Sequence, residues 1–308
     1  MGEISKKRGE FGEKITENLL KMIGWKTLLS GREIECYNQC DHAITYKNRK
    51  DHGIDFIYKY DCPLFSDTEM FVLISSKIND EYPSNPSNKF KSHLKDIAYA
   101  TECFKKSNLR SKIKKQNASY HFRHSSVVFW IDNNSQYDDV IERLTDFRVD
   151  DNLEFETTYL VDNKRADFIY TTIDFVKNKF SDYKMHFFHP STGFNTSARQ
   201  RLNSSEILPV QYINSSMLPI RIFKEHEECL ILSCIDSFEG EYLQKLINLA
   251  QKLTNNWSQK VHILFPEYNE DTHKDKVDDV KLGFKDQNFV SKIFVSTYNP
   301  NFRNIELL

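Results

Sequence analysis

Apolar and polar positions along this chain switch between two periods, and the switches mark its elements. Residues 8–23 carry Phe11, Ile15, Leu19, Met22 and Ile23 close to helical spacing, and Gly24 ends the run. That spacing predicts a helix with Glu13 on the border of its apolar stripe. Gly53-Ile54-Asp55-Phe56-Ile57-Tyr58 and Phe71-Val72-Leu73-Ile74-Ser75-Ser76-Lys77 are short runs rich in β-branched and aromatic residues, with Asp, Pro and Ser between them. They read as two strands of a hairpin. Alternation puts Ser75 and Lys77 on one face of the second strand and Ser76 on the other. Trp25 to Tyr46 reads as strand, loop and strand. A loop over 79–90, rich in Pro, Asn and Ser, leads into a helix from Lys89 to Lys106. Ser126 to Ile131 reads as a buried strand and Gln136 to Asp146 as a helix.

The rear half repeats the mixture. Strands are expected over 155–161, 184–188, 207–213, 218–223, 229–235, 261–265 and 292–297, and helices over 167–180 and 238–254. The polar stretch Asp150-Asp151-Asn152 divides a first domain, 1–150, from a second, 151–308. Ala166-Asp167-Phe168-Ile169-Tyr170 echoes the segment from Ile54 to Tyr58, which suggests a degenerate internal repeat.

Composition narrows the class. At 308 residues, 39% hydrophobic and 28% charged, the chain can bury a sizeable core. No apolar run approaches the roughly 18 residues of a membrane span, and the opening residues lack the apolar core of a secretory signal. These features lead us to expect a cytoplasmic protein. Cys36, Cys40, His42 and Cys62 lie near one another in the sequence. Without a CxxC pair and with irregular spacing, buried or free thiols are expected in preference to zinc. The net charge of −2 hides an asymmetry: residues 1–124 hold 22 Lys and Arg against 16 Asp and Glu, and the remainder 20 against 28. A basic front half suits a polyanionic ligand. Within it, Lys105, Lys106, Arg110, Lys112, Lys114, Lys115 and Arg123 alternate with Tyr120 and Phe122, a pattern suited to phosphate backbones and exposed bases.

Arg8-Gly9-x-x-x-Glu13 on a first helix, Gly53-x-Asp55 opening a strand, and Ser75-Ser76-Lys77 closing the next together resemble the PD-(D/E)xK nuclease superfamily. The order is similar to that of Holliday-junction resolvases and nucleases of anti-phage defence, over roughly residues 8–132. The resemblance implies an α/β fold: a restriction-endonuclease-like mixed sheet flanked by helices, followed here by a second mixed α/β domain for assembly, partner binding or sensing. It implies Mg2+ or Mn2+ held by oxygen ligands, with Asp55 and Glu13 as metal ligands and the carbonyl near Ser76 as a third. Lys77 would orient or deprotonate the attacking water and offset charge on the phosphate. DNA is the implied substrate, with RNA still open. A separately encoded defence partner or a homo-oligomer is the implied assembly, with no role for a membrane.

Ser75 departs from the family pattern, which has Asp or Glu there. Three outcomes follow. The site works with fewer charges, another carboxylate such as Asp41, Asp51 or Asp80 substitutes, or the domain binds nucleic acid and scaffolds a complex without cutting. Retention of Glu13, Asp55 and Lys77 favours a magnesium-dependent endonuclease.

Overall fold

The computed structural model describes residues 2–39, 41–43, 48–116, 120–133, 139–149, 153–196, 202–255 and 257–300, with the side chains of 2–6 and 8 outside that description. Two compact units are present, meeting in sequence at Asp167 and Phe168. Cys40, the tail of the expected strand at Tyr46, the start of the expected helix at Gln136, and the stretch 150–152 lie outside the described residues.

The first unit opens with α1 (Gly2–Met22). Its buried stripe is Gly12, Thr16, Leu19, Leu20 and Ile23, one position round from the expected one, and Phe11 and Ile15 are exposed. The stripe uses small residues at its N-terminal end because the helix lies close against a strand there. Full burial of Leu20 and Ile23 contributes about 1.5–3 kcal/mol each.

Five strands follow: β1 (Leu29–Glu35), β2 (Asp51–Asp61), β3 (Thr68–Asn79), β4 (His121–Asp132) and β5 (Thr158–Val161), in that spatial order. β1 to β3 form an antiparallel meander, so the hairpin read from the sequence is present. β4 and β5 add parallel to β3, which makes the sheet mixed. β3 is buried from Thr68 through Ser75 and half-buried from Ser76 to Asn79. It therefore carries the core inward and delivers its last residues to the surface at the carboxyl end of the parallel pair, where open α/β sheets place ligands.

The crossover from β3 to β4 runs through α2 (Pro86–Lys106), whose start is fixed by Asn85, which accepts from the Ser87 N–H, and by Pro86 in the first turn. α2 packs Ala100, Cys103 and Phe104 against Ile57, Phe71 and Leu73. The basic stretch after it forms a short helix, α3 (Asn108–Ile113), capped by Ser107. In place of the expected helix over 136–146, the described part is one 3-10 turn, Glu142–Leu144.

The second unit takes up most of α4 (Asn163–Lys179) and has a six-stranded sheet. Its strands are β6 (Lys184–Phe188), β7 (Ser204–Ser205), β8 (Met217–Lys224), β9 (Glu227–Cys234), β10 (Lys260–Phe265) and β11 (Ile293–Thr297). The order is β11-β10-β9-β8-β6-β7, with β9, β10 and β11 parallel. α5 (Gly240–Thr254) lays Leu243, Leu246, Ile247 and Ala250 on this sheet. α6 (Glu270–Leu282) and α7 (Gln287–Val290) were not expected, because α6 buries only Val277 and so shows little apolar period. Residues 207–213, expected as a strand, hold a 3-10 turn at Val210–Tyr212. The echo at 166–170 falls in α4, whereas residues 54–58 lie in β2, so the two segments are not a structural repeat.

No helix among the described residues is long and apolar enough to cross a membrane.

Candidate active site

Asp55 lies one position beyond the pairing of Phe56 with Ile74, at the point where β3 emerges from the core. Its Oδ2 accepts the backbone N–H of Ser76 at 2.6 Å and the Ser75 hydroxyl at 3.4 Å. On the other side of β2, the pairs Ser30–Phe56 and Arg32–Ile54 leave Gly31 opposite Asp55. Gly31 has φ +57°, a conformation in which a side chain is strained. The ladder around Asp55 is thus turned locally and the carboxylate anchored by main chain.

α1 brings Glu13 to the same end of β3. Thr16 Oγ1 and Ser76 Oγ are 2.9 Å apart, and a Cβ on Gly12 would come within 2.9 Å of Ile78 Cγ2. The helix is therefore seated on the Ser76 and Ile78 face of the strand by two small residues spaced four apart. Glu13, next to Gly12, stays solvent-accessible on the edge of that contact. Burial pushes the Glu13 carboxyl up, the negative charges of Asp55 and Glu10 push it further, and Lys77 pulls it down. Asp55 and Lys77 are thus both within electrostatic reach of Glu13.

Lys77 stands beside Trp130 in the β3–β4 ladder and is half-buried. His93 of α2 packs edge-on to the Trp130 ring, with centroids 5.3 Å apart. Burial, then Lys77 and Lys89, push His93 down to about 4. A neutral imidazole and an ammonium therefore adjoin each other behind the site. Ser75 and Ser76 divide as alternation predicts, Ser75 toward Asp55 and Ser76 toward α1.

The oxygens gathered here suit a hard divalent cation. The charge on Asp55 raises the cost of ionising Glu13, which a cation between them would relieve, and oxygen-only donors suit a hard divalent ion. Asp55, Glu13 and the Ser76 carbonyl would hold it. Of the carboxylates considered as substitutes for the one missing at Ser75, Asp51 pairs with Glu35 in the β1–β2 ladder and bears on His52. Asp41 and Asp80 are exposed in turns. The further acid that bears on the site is Glu10. Sequence reasoning missed Glu10, Thr16 and His93. The Gly12/Thr16 spacing was a readable sign of close helix packing, whereas His93 has no local signature.

The basic residues have divided duties. Lys105 pairs with Glu156, Lys106 with Glu102, and Lys115 with Asp61. Arg110 donates to His124 at 3.0 Å and lies over the rings of Phe71 and Phe122. Lys114 stands over Phe122 and Arg123 over Phe65. Lys112 is exposed on α3.

A family model described as the GAPS4 protein PD-(D/E)XK nuclease domain matches residues 1–165. No curated protein matches the chain.

Proposed function

Because the chain belongs to the family of GAPS4 PD-(D/E)XK nuclease domains, we propose that it is a magnesium- or manganese-dependent endonuclease that cuts DNA in the cytoplasm as part of antiviral defence. The observation that carries this reading is the convergence of Asp55, Glu13 and Lys77 at the exposed end of β3, with Asp55 anchored by the Ser76 N–H. A divalent ion bound by these carboxylates would supply Lewis acidity toward the phosphate and a more acidic water.

The residues divide the remaining work. Asp55 and Glu13 would hold a divalent cation through their carboxylates, with the Ser76 carbonyl adding a neutral oxygen. The Ser76 N–H and the Ser75 hydroxyl fix the orientation of Asp55. Lys77 orients the attacking water and offsets the charge that develops on the phosphate oxygens. Neutral His93 behind it adds no second positive charge. Arg123 pairs with Met70 where β3 begins and Lys115 binds Asp61 at the same end, so the basic segment lies at the opposite end of the sheet from Asp55. There Lys112 and Lys114 would engage phosphates away from the cleaved bond, with Lys105, Lys106, Arg110, Lys115 and Arg123 adding to the field. The second unit serves assembly, partner binding or sensing, with a separately encoded defence protein or a second copy of this chain as the partner.

A second reading follows from Ser75, which supplies a hydroxyl where the family supplies a carboxylate. It makes the domain a nucleic-acid-binding module that has lost cleavage. Incubation of the purified chain with plasmid, linear DNA and RNA, with Mg2+, Mn2+ or chelator, separates the two. Metal-dependent nicking of plasmid that Asp55→Ala abolishes supports the endonuclease. Binding without cleavage under either ion supports the module.

A further inference from the structure

We propose that the first unit holds a structural zinc ion, separate from the nuclease centre, bound by Cys36 Sγ, His42 Nδ1, His52 Nε2 and Cys103 Sγ. These four atoms lie within 4.8 Å of one another and all four residues are buried. His42 Nδ1 is 3.4 Å from Cys36 Sγ, 3.6 Å from Cys103 Sγ and 3.4 Å from His52 Nε2. A tetrahedral zinc with bonds of about 2.3 Å to sulfur and about 2.0–2.1 Å to nitrogen sets such atoms about 3.6 Å apart for sulfur–nitrogen and about 3.3 Å for nitrogen–nitrogen edges. The three edges that meet at His42 Nδ1 thus match those of a zinc tetrahedron, and the remaining atoms lie within 4.8 Å of one another. The spacing is long for hydrogen bonds between nitrogens, and thiol–imidazole contacts are weak in any case.

The surroundings are those of a metal site. The other nitrogen of His42, Nε2, meets Glu102 Oε2 at 3.1 Å, and the ring stacks on Tyr99 with centroids 3.9 Å apart. A carboxylate on the far nitrogen of a ligating histidine fixes its tautomer and raises its basicity toward the metal. Burial pushes the Cys103 thiol up, and the backbone N–H groups of Tyr37 and Asn38 facing its sulfur partly offset that push. His52 is fully buried, and its Nδ1 has no hydrogen-bond partner among the described residues, so its polar contact to the protein runs through Nε2 to the cluster. Two thiols and two imidazoles favour zinc over magnesium or calcium, and four protein ligands leave no open position for catalysis.

The ligands come from the residue after β1, the β1–β2 connection, the second residue of β2, and α2. Zinc there ties a long connection to the helix that covers the sheet, three residues from Asp55. Sequence spacing conceals the centre, because Cys103 arrives from 51 residues beyond His52.

The test is the metal content of the full chain, purified without chelator and dialysed against excess Mg2+. About one zinc per chain is expected, and cobalt in its place should give the visible bands of tetrahedral coordination with thiolate charge transfer. Cys36→Ser, Cys103→Ser and His52→Gln should each reduce retained zinc at least tenfold, roughly, whereas Cys62→Ser and Asp55→Ala keep it. Glu102→Gln should retain the stoichiometry but weaken affinity about ten- to a hundredfold against a competing chelator. If the ligand variants do not fold, alkylation of the wild-type thiols decides: protection of Cys36 and Cys103 that a zinc chelator removes is expected. A folded wild-type chain that holds neither zinc nor cobalt overturns the proposal, as does full zinc in the Cys36→Ser/Cys103→Ser double variant. None of these readouts depends on cleavage, so they stand or fall apart from the nuclease reading.

Discussion

The Ser76 backbone N–H and the Asp55 carboxylate meet at 2.6 Å across the β2–β3 junction. The donor is main chain, so no substitution at Ser76 short of proline removes it, and the carboxylate is preorganised before any ligand arrives. Asp55→Ala should therefore leave folding largely intact and abolish cleavage. The loss should be at least about a hundredfold, because partners one step removed from a metal already cost about 10–100-fold. Plasmid nicking assays alongside thermal melts check this, and unchanged nicking would remove Asp55 from the site.

Lys77→Met preserves the aliphatic stem beside Trp130 and deletes the charge. A group that positions or deprotonates water contributes about 10²–10⁴-fold. Cleavage should fall within that range while DNA binding stays close to wild type. Equal losses in binding and cleavage would make Lys77 a phosphate contact and no more.

The sequence carried the sheet and the motif residues because both depend on local pattern. β2 and β3 announce themselves as apolar runs, and the order of Glu13, Asp55 and Lys77 needs no tertiary knowledge. What stayed hidden depends on contact. The hydropathy pattern sets the α1 stripe one position off because Gly12 and Thr16 look polar or neutral in it, yet they are the residues that fit against Ile78 and Ser76. β5, expected to open the second half, completes the first sheet by parallel pairing with β4, a choice no local pattern encodes. α6 escaped because it is charged nearly all round, with Val277 its one buried residue.

Gly12 gives the helix contact a direct test. A methyl group there would overlap Ile78, and overpacking of this kind costs about 1–3 kcal/mol. Alanine's better helix propensity returns about 1 kcal/mol. Gly12→Ala should thus destabilise modestly, yet cut activity by shifting Glu13. Combining it with Ile78→Ala, which removes the Cγ2 contact at 2.9 Å and leaves only the tight Cβ contact at 3.0 Å, should restore part of the activity. Failure of the double variant to recover would mean that Gly12 acts through something other than its fit to β3.

His93 sets a pH dependence. Its folded value lies near 4, while an exposed histidine in the unfolded chain titrates at about 6.5. Below about pH 6.5 the unfolded state binds a proton that the folded state refuses. The stability from keeping His93 neutral is therefore complete above that pH and is lost as pH falls toward 4. The loss for this one group is at most on the order of 3 kcal/mol. His93→Gln should flatten the pH dependence of the urea midpoint of the first unit between pH 6.5 and 4.5. An unchanged slope would assign the dependence to other histidines.

Ser75 is where the chain and its family part, and the geometry states what a carboxylate there would meet. Ser75 is buried, its hydroxyl faces Asp55 at 3.4 Å, and Glu13 is already pushed up by burial and by Asp55. A glutamate at 75 would add a third negative charge to that group. Without a divalent ion, the like charges should repel, one carboxyl should hold a proton, and the fold should lose stability. With the ion, the same charge becomes a ligand, so Ser75→Glu should lower the Mg2+ concentration for half-maximal cleavage. The variant should accordingly melt below wild type in chelator and gain more than wild type when Mg2+ is added. Melting curves and cleavage titrations across Mg2+ concentrations check both halves. A variant that cuts worse than wild type at every Mg2+ concentration would mean that another carboxylate already fills the place, and Glu10, which bears on Glu13, is the first to replace in that case.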